Sequence, residues 1–156
     1  MKILTCPNLL LSQKCFEVKE FNEKLKDMAD SMLIIMKENK GVGLAAPQIG
    51  DLSTMFVMQI TKPLIVINPK ILEYNGNIVS KEACLSLPGV FENIIRYENI
   101  KLQYQDTTGK EIISDFNGLE SICIQHEMDH LNGITLLDKL SLFKRTFYLN
   151  KLKKRL

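Results

Sequence analysis

The chain has 156 residues, with 20 Lys plus Arg against 18 Asp plus Glu, 46% hydrophobic and 24% charged residues. That balance excludes a disordered chain, and the length leaves no room for a second domain of ordinary size, so one domain over 1–156 is expected. No apolar run approaches the roughly 18 to 20 residues that cross a bilayer, and the apolar stretch after Lys2 breaks at Pro7 with no small-residue cleavage site, so neither a membrane span nor a secretory leader is expected.

Phe21, Leu25, Met28, Met32, Leu33, Ile35 and Met36 recur at helical spacing behind Asn22, a good cap, and Gly41 stops the pattern, so the first helix is expected over 22–40. Strand-like stretches follow at 55–60 and 64–68. Next, 71–74 is expected to pair with 77–80 through Asn75-Gly76, a dipeptide suited to a tight hairpin turn. A second hairpin is expected where apolar Ile100, Leu102 and Tyr104 alternate with polar neighbours, turn at 107–110, and return over 111–116. Asn117 with Glu120 three residues on has the form of a capping box, opening a helix to Leu131 that ends at Asn132-Gly133; a last helix begins near Ser141. This order gives the fold class: α+β, antiparallel strands packed around a central metal-binding helix, with an N-terminal and a C-terminal helix.

The central helix carries the chemistry. Gln125-His126-Glu127-Met128-Asp129-His130 is an H-E-x-x-H pattern, and His126 and His130 are the only 2 histidines in the chain. Residues four apart share a helix face, so both imidazoles can reach one metal ion while Glu127 stands beside it as a general base. A catalytic metal wants a third protein ligand. Asp138 is the only acid after His130, which disfavours the thermolysin-like arrangement, and Leu136 stands where a metzincin would have its third His. The strongest remaining candidate is the thiolate of Cys84, in the turn-rich run Glu82-Ala83-Cys84-Leu85-Ser86-Leu87-Pro88-Gly89. The other 3 of the 4 cysteines, Cys6, Cys15 and Cys123, read as small core residues, and with no C-x-x-C pair a reducing compartment fits. Gly41-Val42-Gly43-Leu44-Ala45-Ala46-Pro47-Gln48 lets a ligand approach the backbone closely, yet lacks the G-K-[ST] ending of a phosphate loop.

With these three segments in this order, the sequence resembles the bacterial-type peptide deformylases, whose motifs are G-x-G-L-A-A-x-Q, E-G-C-L-S and Q-H-E-x-D-H. It departs from them at Ala83, which stands in place of the second motif's glycine, and between Gln48 and Asn68, where the chain is shorter. The resemblance implies removal of the N-formyl group from the formyl-methionine of nascent polypeptides. It also implies one divalent ion, Fe2+ in the cell with Zn2+, Ni2+ or Co2+ as substitutes, held by Cys84, His126 and His130. Glu127 would move the proton, while the Gln48 amide and the Leu85 N–H would stabilise the oxyanion. Gly43, with Ala83 opposite, would receive an extended peptide in strand-like pairing. Glu82 would orient a ligand histidine from behind. Leu119, Ile122 and Cys123 precede His126 by seven, four and three positions, so they share its face and would wall a methionine pocket closed by Val42 on the other side. Arg96 is expected to pair with a carboxylate such as Asp129. A zinc endopeptidase, and a weakly catalytic homologue that acts as a partner-binding module, remain the alternatives.

The last segment is basic: Lys144, Arg145, Lys151, Lys153, Lys154 and Arg155 occur with no acid between them, and Leu142, Phe143, Phe147, Leu152 and Leu156 can form an apolar stripe. The resemblance implies docking of this helix on ribosomal RNA, which a cluster of cations would favour, and a helix that is simply packed and solvated, its basic residues complementing the helix dipole, is the alternative. No membrane or DNA partner is expected, and the location is cytoplasmic, or organellar in a eukaryotic host.

Overall fold

The computed structural model describes residues 2–154. It is an α+β structure. Helix α1 (Glu23–Glu38) is followed by strands β1 (Gly43–Ala45), β2 (Met55–Gln59), β3 (Pro63–Cys84), β4 (Leu87–Gln105) and β5 (Glu111–Asn117), then α2 (Gly118–Leu131) and α3 (Leu142–Lys153). The strands form one antiparallel sheet in the order β1-β2-β3-β4-β5.

Local signals set the helices. Asn22 Oδ1 accepts the Leu25 N–H at 3.1 Å, capping α1 as the sequence suggests. The chain leaves α1 with Lys40 in the left-handed region, φ 57°, one residue before the expected glycine, while the Gly41 N–H closes back on Met36 O at 2.9 Å. Helix α2 starts after Asn117, but the expected capping box is absent: the Asn117 side chain makes no cap bond, and Glu120 accepts from Thr61 Oγ1 at 2.8 Å instead. A contact to the neighbouring loop replaces the local one.

The central position of α2 follows from β2. Successive side chains on a strand point to opposite faces; Met55 and Val57 pack with α1, whereas Phe56 and Met58 pack with Cys123, Ile124 and Leu131 of α2. The unbroken apolar run of β2 therefore lies between two helices. A third cluster joins Cys6, Leu11 and Cys84 to Leu87, Val90 and Ile94 of β4 and to Leu136, Leu137 and Leu152 near the C-terminus.

The largest departure from expectation lies in β3 and β4. Asn75-Gly76 is not a turn. β3 runs straight through it, with Asn75 opposite Asn99 and Asn77 opposite Tyr97, and reverses only at Leu85-Ser86, where Cys84 faces Leu87. Gly76 keeps its turn-like φ of 67°, but inside a strand where an added Cβ would lie 3.1 Å from Glu98 Cβ. The long hairpin aligns Val90 and Ile94 with Cys84 and Leu87 in one buried cluster, so long-range contacts win over the local turn signal. The second hairpin matches expectation, with Gln105 opposite Glu111 and Asp106 Oδ1 gathering the N–H groups of Thr108 and Lys110.

The expected stripe on α3 is also corrected. Leu152 is buried, with Tyr148 and Leu149 beside it, but Leu142, Phe143 and Phe147 face outward. Packing uses the face one position away because β4 and the preceding turn approach α3 from that side. Arg155 and Leu156 lie outside the described residues.

Candidate active site and metal centre

The tip of the β3–β4 hairpin meets the middle of α2. There Cys84 Sγ lies 3.2 Å from His130 Nε2, and the ligand atoms of Cys84, His126 and His130 all fall within 4.8 Å of one another. His126 donates from Nδ1 to Glu82 Oε2 at 2.9 Å, which leaves Nε2 for the centre. Glu82 is itself gripped by Arg96, whose Nε and Nη2 donate to its two oxygens at 2.7 and 2.8 Å. Arg96 Nη1 reaches Asp129 Oδ2 at 2.6 Å, so the guanidinium ties β3, β4 and α2 together. Asp129 is the acid expected for Arg96; the bidentate pair with Glu82 was not foreseen, because it follows from strand register.

Electrostatics separate Cys84 from the other thiols. Burial pushes Cys6 up to about 12 and Cys15 up to about 11, and it raises Cys123 strongly. Burial acts on Cys84 too, but the charge of His130 and hydrogen bonds from both imidazoles overcome it and bring the thiol down to about 5. Glu82 falls to about 2, since the hydrogen bonds of Arg96 and His126 outweigh its desolvation. Glu127 moves the other way: fully enclosed, it is pushed up to about 7 by desolvation against the pull of the two histidines. Its Oε2 is buried with no hydrogen-bond partner among the described residues, as is His130 Nδ1.

This donor set fits a metal ion. A thiolate and two imidazoles converge, one imidazole is braced by a carboxylate, and the unpartnered Glu127 oxygen belongs to the next residue along α2 from His126. These soft and borderline ligands suit Fe, Co, Ni or Zn rather than Mg or Ca.

The remaining sequence candidates line a cleft of ≈ 600 Å³ at this centre, among them Val42, Gly43, Gln48, Ala83, Leu85, Leu119, Ile122 and Cys123. Gln48 is fixed from three sides: Oε1 accepts the Ala45 N–H at 2.8 Å, and Nε2 donates to Ser86 Oγ at 3.0 Å and points at Cys84 Sγ at 3.6 Å. Gly43 lies on edge strand β1, where an added Cβ would collide with the Glu127 carboxylate and stand 2.9 Å from Cys123 Sγ. The pocket wall is uneven: Ile122 and Cys123 are buried, whereas Leu119 and Val42 are exposed at the mouth. Sequence reasoning missed Phe91, which stands opposite Ala83 and also lines the mouth, because β4 was recognised only from Ile100 onward. It missed Ile60, Lys40 and Lys81 as well.

Comparison with known proteins follows the same lines. The polypeptide deformylase family profile matches residues 1–146. The peptide deformylase of Chromobacterium violaceum is 39% identical over 159 residues, covering 99% of this chain and 95% of the relative. That of Wolinella succinogenes is 38% identical, with coverage of 99% and 96%. Among solved structures, the peptide deformylase of Ehrlichia chaffeensis superposes with a TM-score of 0.96 at 37% identity, covering 99% of this chain and 96% of that one. The Thermotoga maritima enzyme gives 0.88 at 39% identity, with coverage of 90% and 97%. A family match that spans the sheet, the hairpin tip and α2 settles kinship: the chain belongs to the polypeptide deformylase family.

Proposed function

We propose that this cleft removes the formyl group from peptides that begin with formyl-methionine, releasing formate and a free amine. The observation that carries the reading is the convergence of Cys84, His126 and His130 beside the unpartnered Glu127 oxygen, in a cleft bordered by an open strand edge. Cys84, His126 and His130 would hold a divalent ion, ferrous in the cell and replaceable by zinc, nickel or cobalt, whose Lewis acidity would make water reactive near neutral pH. Glu127 takes the proton of the attacking water and returns it to the departing amine. Gln48 keeps Nε2 aimed at the centre through its bonds to Ala45 and Ser86, and with the Leu85 N–H it stabilises the oxyanion. Beside Gly43 the outer edge of β1 pairs with the peptide, and Ile122, Cys123, Leu119 and Val42 enclose the methionine side chain. Glu82 and Arg96 act behind His126.

The decisive experiment measures formate release from a formyl-Met-Ala peptide by metal-loaded protein, alongside cleavage of the same peptide without its formyl group. Formate without chain cleavage supports the reading, and cleavage of the unformylated peptide would make the chain an endopeptidase. Metal binding with neither product would leave a binding module.

We further propose that the protein acts in the cytoplasm, or in an organelle of a eukaryotic host, and that α3 docks on ribosomal RNA. Support comes from 4 free cysteines and from exposed Lys151, Lys153 and Lys154, which have no ion-pair partner among the described residues. Lys144 and Arg145 are already engaged by Glu92 and Asp138. No helix among the described residues is long and apolar enough to cross a membrane. Charge reversal at those three lysines should weaken ribosome co-sedimentation in a salt-sensitive way, and unchanged sedimentation at low salt would remove this role.

A further inference from the structure

Two lysines stand on the walls of the cleft at its outer end. The first wall leads away from the centre along Gly43, Val42 and Gly41 to Lys40, and the second along Cys84, Ala83 and Glu82 to Lys81. Each path is three residues, at most about 10 Å, and the first turns at Lys40. An extended peptide with its first residue at the metal centre has its third residue about 7 Å away, and long lysine and glutamate side chains span the difference.

The charge there is uncompensated. Lys40 and Lys81 both line the cleft, both are exposed, and neither has an ion-pair partner among the described residues. The acids that line the same cleft, Glu82 and Glu127, are buried at its inner end, and Glu82 is committed to Arg96 and His126. Backbone geometry limits where both cations can go. Lys40 is itself a left-handed residue in the turn between α1 and β1, and Lys81 shares a strand face with Ala83, which also lines the cleft. An acidic side chain at this part of the cleft meets positive charge, and a basic one meets repulsion.

We propose that Lys40 and Lys81 are specificity-determining residues, selecting formylated peptides with Asp or Glu at the second or third position over those with Lys or Arg there. This rests on the deformylase reading above. Opposite charges at a solvent-exposed rim act chiefly on encounter and on KM, and salt screens them.

The test uses metal-loaded protein and the series formyl-Met-Xaa-Ser and formyl-Met-Ala-Xaa, with Xaa as Glu, Gln or Lys. Formate release should give kcat/KM higher for Glu than for Lys by about fivefold or more at low salt, with most of the difference lost near about 0.5 M salt. Lys40→Gln and Lys81→Gln should each shrink the Glu-to-Lys ratio, and the double variant Lys40→Glu/Lys81→Glu should invert it. Both residues are exposed, so the ratio is read within a folded protein. An unchanged ratio in the double variant, or no preference for Glu in the parent, overturns the inference while turnover of the Gln peptide leaves the deformylase reading standing. Failure to release formate from the Gln peptide overturns both.

Discussion

Glu127 is the residue whose surroundings are hardest to explain by packing alone. A carboxylate enclosed with one oxygen unpartnered costs stability, and among the described residues nothing is placed to recover that cost except a reacting group at the centre. Replacing it by Ala should therefore leave metal content intact, because the three ligand residues remain, while formate release falls by at least about a hundredfold, the low end for a positioned acid–base group. Metal analysis beside steady-state kinetics checks both halves, and a variant with most of its turnover would remove Glu127 from the proton path. Glu82 should behave in the opposite manner. Arg96 binds both its oxygens and His126 Nδ1 shares Oε2, so Glu82→Gln loosens the imidazole and leaves Arg96 with a poorer partner. Metal affinity should weaken by about tenfold to a hundredfold, the usual effect of removing a group that braces a ligand histidine. Competition against a chelator measures it; unchanged affinity would reduce the Glu82–His126 bond to a packing contact.

At the level of elements, the edge of β1 decides whether a peptide can lie in the cleft. The space at Gly43 is already filled by the Glu127 carboxylate and Cys123 Sγ, so Gly43→Ala must displace one of them. With Glu127 moved by an ångström or so, kcat should fall by about a hundredfold with metal content retained. A normal kcat in this variant would show that β1 is free to move away from α2. The same contrast between local and distant contacts explains what could be read beforehand. The spacing of apolar residues in α1, the Asn22 cap and the i, i+4 histidines of α2 are local, hence legible. β3 and β4 are not: the pairing of Asn77 through Cys84 with β4 is decided by partners many residues away, and Gly76, locally the best turn in the region, is overridden. Phe91 and Lys81 were missed for the same reason, since their place in the cleft depends on that pairing. Cys84 was reachable from sequence only by eliminating other third ligands and by family motif.

Across the whole molecule, the proposed metal centre joins parts that otherwise belong to different apolar clusters. Cys84 packs with Cys6, Leu87 and Leu152, while α2 packs through Ile124 and Leu131 against Phe56 and Met58 of the sheet. Besides the Arg96 network, an ion held by Cys84, His126 and His130 would be a direct bond between the hairpin tip and the central helix. Metal binding should then appear as global stability. At free metal about a thousandfold above its dissociation constant, linkage contributes about 4 kcal/mol. For a chain of this size that corresponds to a rise in Tm of about 8 to 16 °C. Thermal unfolding of protein stripped by chelator and then reloaded with zinc or nickel should show this shift, and Cys84→Ala should lose most of it. Cys15→Ala, which removes a buried thiol outside the ligand set, is the control: it should lower Tm in both states and preserve the difference between them. If Cys84→Ala gained as much from metal as the parent does, the thiolate would not be a ligand, and the hairpin tip would be held by packing and Arg96 alone.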